Sequence, residues 1–133
     1  MILVDANVLM YAAGGRHRHQ AASARFVERV AAGRVEAALD AEVLQEILHR
    51  YRALRRWKEG RALFDLARQV FSVVIPVTVE VLDRARLLLD DYGALKARDA
   101  VHAAVVLEND LEAICSFDRD FDAIEGLRRK EPS

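Results

Sequence analysis

The chain has 133 residues and a mass of 15.0 kDa, the size of one domain with no room for a second core. Hydrophobic residues make up 53% and charged residues 31%, which excludes a disordered or collagen-like chain, and the single cysteine, Cys115, excludes a disulfide-stapled scaffold. Net charge is −1, so there is no global pull toward nucleic acid or a membrane surface. The apolar runs are far shorter than the ~20 residues that cross a bilayer. The opening Met-Ile-Leu-Val-Asp lacks a basic n-region, so no signal peptide or membrane partner is expected, and the reading is a cytoplasmic protein.

Ile2-Leu3-Val4-Asp5 reads as a short buried strand ending in a carboxylate, with Asp5 or Asn7 as cap of a helix running to Gly14-Gly15. A helix over 18–32 presents Ala22, Phe26, Val27 and Val30 on one face and stops at Gly33. A strand is expected over 35–39, then a helix over 41–51 capped by Asp40, with Val43, Leu44, Ile47, Leu48 and Tyr51 as its apolar stripe. The stretch 54–72 is helical, weakened early by Gly60. Residues 73–77 form a strand that Pro76 assigns to an edge or a strand end. Thr78 caps a helix that ends near Gly93, and 98–109 is a helix apolar nearly all round, hence central. A last strand is expected over 113–117, and the polar tail 128–133 is expected to fray. Alternating strands and helices predict an α/β fold: one domain, a three-layer α/β/α sandwich with a mainly parallel central sheet.

In such sheets ligands sit at the carboxyl ends of the strands. Two strands here end in acid, Asp5 and Asp118. Glu46 lies on the border of its helix's apolar stripe, with Glu42 one turn away on the same flank, and Asp99 opens the central helix. Taken singly, each acid has an ordinary role: a cap at Asp5, a dipole-favoured first-turn acid at Asp99, an Asx-turn at Asp118. Together they can meet at one end of the sheet. Each ionised pair at about 4 Å costs roughly 4 kcal/mol at an effective dielectric near 20. Such a cluster calls for raised pKa values or a bound cation, and carboxylates without cysteines or a His pair suit Mg²⁺ or Mn²⁺. That equipment serves metal-assisted phosphodiester hydrolysis.

Charge is unevenly spread: residues 1–68 carry net +4 and residues 69–133 net −5. The sharpest basic run includes Arg50, Arg55, Arg56 and Lys58, with Trp57 inside it. It reads as a solvated arginine-rich surface or as a rim for RNA phosphates. His17 and His19 sit beside Arg16 and Arg18 in what reads as a solvated loop, with contact to RNA as the alternative. His102, on the same helix side as Asp99, reads as a packing or hydrogen-bonding residue. Cys115 reads as an inert buried thiol.

Four motifs stand in order: Val4-Asp5-Ala6-Asn7-Val8-Leu9, Val43-Leu44-Gln45-Glu46-Ile47-Leu48, Arg98-Asp99-Ala100-Val101-His102-Ala103-Ala104 and Ser116-Phe117-Asp118-Arg119-Asp120-Phe121. Their order at this length resembles the PIN-domain ribonucleases, within them the VapC-type toxins, over essentially the whole chain. The resemblance implies an α/β/α sandwich, a Mg²⁺- or Mn²⁺-dependent endoribonuclease acting on RNA, a homodimer, and a cognate protein antitoxin. It puts the acidic quartet on Asp5, Glu46, Asp99 and Asp118, with Asn7 and Ser116 as supporting polar residues. Ser116 stands where the family often has Thr. Asp120 and Asp122 stay open as alternatives to Asp118. The alternative function is a catalytically silent PIN-like module that binds RNA or protein.

Overall fold

A computed structural model describes residues 1–133. The elements follow as β1 (Ile2–Val4), α1 (Ala6–Ala13), α2 (Gln20–Ala31), β2 (Ala37–Asp40), α3 (Ala41–Ala53), α4 (Trp57–Val70), β3 (Val74–Ile75), α5 (Val79–Asp91), α6 (Ala97–Glu108), β4 (Ala113–Cys115), a 3-10 turn (Arg119–Ala123) and β5 (Arg129–Lys130). The five strands order as β3-β2-β1-β4-β5 and every pairing is parallel. Register puts Leu3 opposite Ala38 on one side and Ile114 on the other.

The period-2 alternation of the strands divides the core. Ile2, Val4, Ala37, Leu39, Ala113 and Cys115 face a cluster built with α1 to α4. Leu3 and Ile114 face the opposite cluster, built with α5, α6 and the 3-10 turn. The sheet is therefore the middle of three layers, as expected. Two of the three expected caps form: the Asp40 carboxylate accepts from the Val43 amide at 2.9 Å and the Thr78 hydroxyl from the Val81 amide at 3.2 Å, whereas at α1 Asp5 holds the N-cap position without a side-chain capping bond. Gly33 follows α2 at φ +73°, the left-handed conformation that ends a helix and favours glycine.

Three differences stand out. The third strand shrinks to Val74–Ile75 at the sheet edge, where the missing amide of Pro76 is harmless. The expected helix over 54–72 starts only at Trp57, because the chain turns at Leu54–Arg56 with Arg55 at φ +57°. The tail does not fray as a unit. Arg129–Lys130 pairs with β4, since the Ile114 amide donates to the Arg128 carbonyl and the Ser116 amide to the Lys130 carbonyl, both at 2.9 Å. Without that pairing the β4 edge would leave buried amides unsatisfied.

From β1 the chain moves to β2 and β3 on one side, then returns to place β4 on the other side of β1. The connections diverge there, and a crevice opens beyond the carboxyl ends of β1 and β4.

Candidate active site

Asp5 follows β1 directly and holds the N-cap position of α1, yet its side chain makes no capping bond. It turns toward the crevice, where Oδ2 accepts from the Ser116 hydroxyl at 2.7 Å. Ser116, at the end of β4, is fully buried and ties three residues together. Its Oγ also accepts from the Asn7 side-chain amide at 3.2 Å and from the Asp118 backbone amide at 3.0 Å. The two polar residues expected to support the acids thus form one cluster with Asp5. Asp118 orients through Oδ1, which accepts from the Asp120 amide at 2.9 Å, so its Asx-turn role and its place in the crevice coexist. Asp99 stands in the first turn of α6 and is buried.

Asp5, Glu46, Asp99 and Asp118 all line one open cleft of about 660 Å³, with Asn7 and Glu42. Asp120 is exposed and does not line the cleft. Asp122 pairs with Arg129 at 2.8 Å outside it, which pulls its carboxyl below the ordinary range. Of the basic run, Arg50 lines the cleft, while Arg55, Arg56 and Lys58 sit at the α3–α4 turn and the start of α4, with Arg56 paired to Glu59. Trp57, at the start of α4, is 37% exposed and does not line the cleft. Lys96 and Arg98 are cleft cations that sequence reasoning did not single out; their adjacency to Asp99 was the available signal.

The electrostatics follow from crowding. Desolvation first, then the negative charges of Asp5 and Asp118, push Asp99 up to about 6. The helix dipole at its N-terminus is worth about 1 kcal/mol at most sites and does not offset this. Burial likewise raises Asp5, against the opposing pull of His102 and the Ser116 hydrogen bond.

His102 is fully buried and sits between two carboxylates. Its Nδ1 is 2.6 Å from Asp40 Oδ2 and its Nε2 is 2.9 Å from Glu46 Oε1; Asp5 Oδ1 lies 3.9 Å from Nε2. Only an imidazolium can donate from both ring nitrogens. Burial opposes that charge, but hydrogen bonds to Asp40 and Glu46 outweigh it and hold His102 well above its ordinary range. So the expected hydrogen-bonding role of His102 has a specific form: Asp40, already the cap of α3, anchors His102, which anchors Glu46. Arg98 adds a longer contact to Glu46 at 3.9 Å. The contribution of Asp40 beyond capping was invisible in sequence, because its partner is 62 residues away.

One buried polar atom in this region lacks a partner, the Asn7 side-chain oxygen. It belongs to a cleft lined by several carboxylates whose charges repel, and oxygens of that kind suit a hard divalent cation. Asp5, Glu46 and His102 also bring one ligand-type atom each within 4.8 Å of one another. A His102 that donates through both nitrogens has no lone pair to give a metal, so a cation there would be left with carboxylate oxygens. Cys115 is buried behind Asp5, and burial pushes its thiol up to about 12, which leaves it unreactive.

The family profile described as PIN domain matches residues 2–127. The chain is 41% identical over 129 residues to the VapC ribonuclease Mb1869c of Mycobacterium bovis, covering 97% of this chain and 98% of that protein. It has the same identity and coverage with ribonuclease VapC13 of Mycobacterium tuberculosis. Among solved structures, VapC20 of Mycobacterium tuberculosis, a sarcin-ricin loop cleaving toxin, superposes with a TM-score of 0.79 at 19% identity, over 99% of this chain and 100% of that one. VapBC2 of Rickettsia felis, bound to a DNA fragment from its promoter, superposes at 0.78 and 16% identity over the whole of both chains. With the profile spanning nearly every residue and the cleft built from the four motifs, this chain belongs to the PIN-domain family.

Proposed function

We propose that this protein is a divalent-metal-dependent endoribonuclease that hydrolyses RNA phosphodiester bonds as the toxin of a toxin–antitoxin pair in the cytoplasm. The observation that carries the reading is the convergence of Asp5, Glu46, Asp99 and Asp118 in one cleft, beside the unpartnered Asn7 oxygen. Its relatives are named as VapC ribonucleases, and another structural neighbour, at a TM-score of 0.68, is a toxin–antitoxin complex from Klebsiella pneumoniae.

Asp5, Asp99 and Asp118 would hold a Mg²⁺ or Mn²⁺, and Glu46 would either join them or orient the attacking water. Bound there, such an ion polarises a phosphoryl oxygen and acidifies water. Ser116 keeps the Asp5 carboxylate aimed into the cleft, and His102 fixes Glu46. Arg50, Lys96 and Arg98 supply the positive charge that draws in the RNA backbone. The water oxygen bonds to phosphorus as the bond to the 3′ oxygen breaks, which leaves a 5′-phosphate and a 3′-hydroxyl. No helix is long and apolar enough to cross a membrane. A homodimer belongs to the same proposal, supported by α5, where Val79, Leu82 and Leu87 are exposed.

The test is cleavage of a mixed cellular RNA pool with Mn²⁺ or Mg²⁺, with EDTA, and with Asp99→Asn. Discrete metal-dependent fragments, absent in the variant, support the reading. A 2′,3′-cyclic phosphate end would overturn the hydrolytic mechanism, because the ribose hydroxyl would then be the nucleophile. Protein free of any partner that neither cleaves RNA nor binds Mn²⁺ would instead be a silent binding module.

A further inference from the structure

The loop between α1 and α2 is solvated, as its sequence suggests, but aromatic contacts order two of its side chains. His17 stacks on Tyr11 with ring centroids 4.4 Å apart and planes 20° from parallel. His19 stacks on Phe117 at 3.8 Å and 17°. Tyr11 meets Phe117 edge-on at 5.5 Å and His19 at 5.2 Å. The His19 amide donates to His17 Nδ1 at 3.1 Å, which locks the two imidazoles in one turn. Four rings from three parts of the fold thus form one cluster.

Its position is informative. Tyr11 lines the acidic cleft, and Phe117 lies between Ser116, which holds Asp5, and Asp118. His17 is the exposed member, flanked by the exposed cations Arg16 and Arg18. Desolvation, then the charges of Arg18 and His17, lower the His19 imidazole below its ordinary range, which favours a neutral ring. Core packing does not account for an aromatic cluster whose outermost ring is in water. Planar rings beside guanidinium groups at the edge of a phosphate-handling cleft are the chemistry that receives an unpaired base.

We propose that the His17–Tyr11–Phe117–His19 cluster is a nucleobase-stacking subsite, which seats an unpaired base of single-stranded RNA next to the phosphate held in the acidic cleft. This rests on the nuclease reading and extends it: the acids act on the backbone, and the rings select strands whose bases are unstacked. Stacking is tolerant of base identity, so the subsite discriminates single-stranded from duplex RNA more than one base from another.

The experiment measures binding of a fluorescein-labelled 12-mer RNA of mixed sequence by anisotropy. It uses the cleavage-blocked Asp99→Asn protein, and beside it an abasic ribose-phosphate chain of the same length. His17→Ala is expected to weaken binding of the base-bearing RNA about tenfold. It should leave the abasic chain unchanged, and His17→Trp should restore affinity. His17 is exposed, so its replacement leaves the core intact. Unchanged RNA binding in His17→Ala, or equal loss for both ligands, overturns the stacking subsite. If the parent protein cleaves RNA in Mn²⁺ while that happens, only the subsite fails. If the parent neither binds nor cleaves RNA, the nuclease reading fails and takes the subsite with it.

Discussion

An aspartate in the first turn of a helix is normally favoured in its charged form, because the amide dipoles there attract it. Asp99 is pushed the other way, up to about 6, by burial and by its neighbours. A carboxyl whose pKa is raised on folding binds a proton more readily in the folded than in the unfolded chain between the two values. Stability of the metal-free protein therefore falls as pH rises from about 4 through about 6. His102 acts in the same direction at higher pH. Its folded pKa lies above 6.5, so its contribution is complete below 6.5 and is lost as pH rises through the folded value. Thermal melts in EDTA should thus give a lower Tm at pH 8 than at pH 5. Adding Mn²⁺ should raise the Tm more at pH 7 than at pH 5, where protons compete with the cation. Asp99→Asn should stabilise the metal-free protein at pH 7 by on the order of 2 kcal/mol and abolish the Mn²⁺ shift. His102→Ala has the opposite sign. It leaves Asp40 buried without its cation, and urea unfolding should register a loss of about 3–5 kcal/mol.

At the scale of elements, the crossing of α3 and α4 depends on a glycine. A Cβ at Gly60 would lie 2.4 Å from Tyr51 Cβ, closer than real contacts allow. In an unconstrained helix, Gly to Ala gains about 1 kcal/mol from propensity. Here overpacking reverses the sign, and Gly60→Ala should cost about 1–3 kcal/mol by urea denaturation. The sequence reading saw only the weakened helix. The reason for the glycine is a neighbour on another helix.

At the scale of the molecule, a short terminal strand braces the site. The Ser116 amide donates to the Lys130 carbonyl, and the Ser116 carbonyl accepts from the Arg129 guanidinium at 3.0 Å. Ser116 in turn holds Asp5 and Asp118. Truncation after Leu127 should therefore lower the Tm and reduce RNA cleavage severalfold, even though it removes no acid from the cleft. Cleavage unaffected by the truncation would show that Ser116 holds its geometry through β1 contacts alone.

Local pattern was enough for the layers, the order of the helices and of the first four strands, two capping residues, and Asp5, Glu46 and Asp99 as candidate acids. Each of these reflects short-range physics: the 3.6 and 2.0 periodicities, the caps, and carboxylates at strand ends. What the sequence did not determine are contacts between residues far apart in the chain. Asp40 and Glu46 meet His102 across 62 and 56 residues, and Asn7 reaches Ser116 across 109. The choice of Asp118 as the cleft acid over Asp120 and Asp122 was likewise left open by their even spacing. Tertiary structure lines the cleft with Asp118, leaves Asp120 exposed and gives Asp122 to Arg129. The tail read as frayed because its composition is polar, but a parallel edge strand needs only backbone groups and a neighbour with unpaired ones. Composition and spacing thus determined which residues were available for chemistry. The strand order, by opening a crevice between β1 and β4, decided which of them meet.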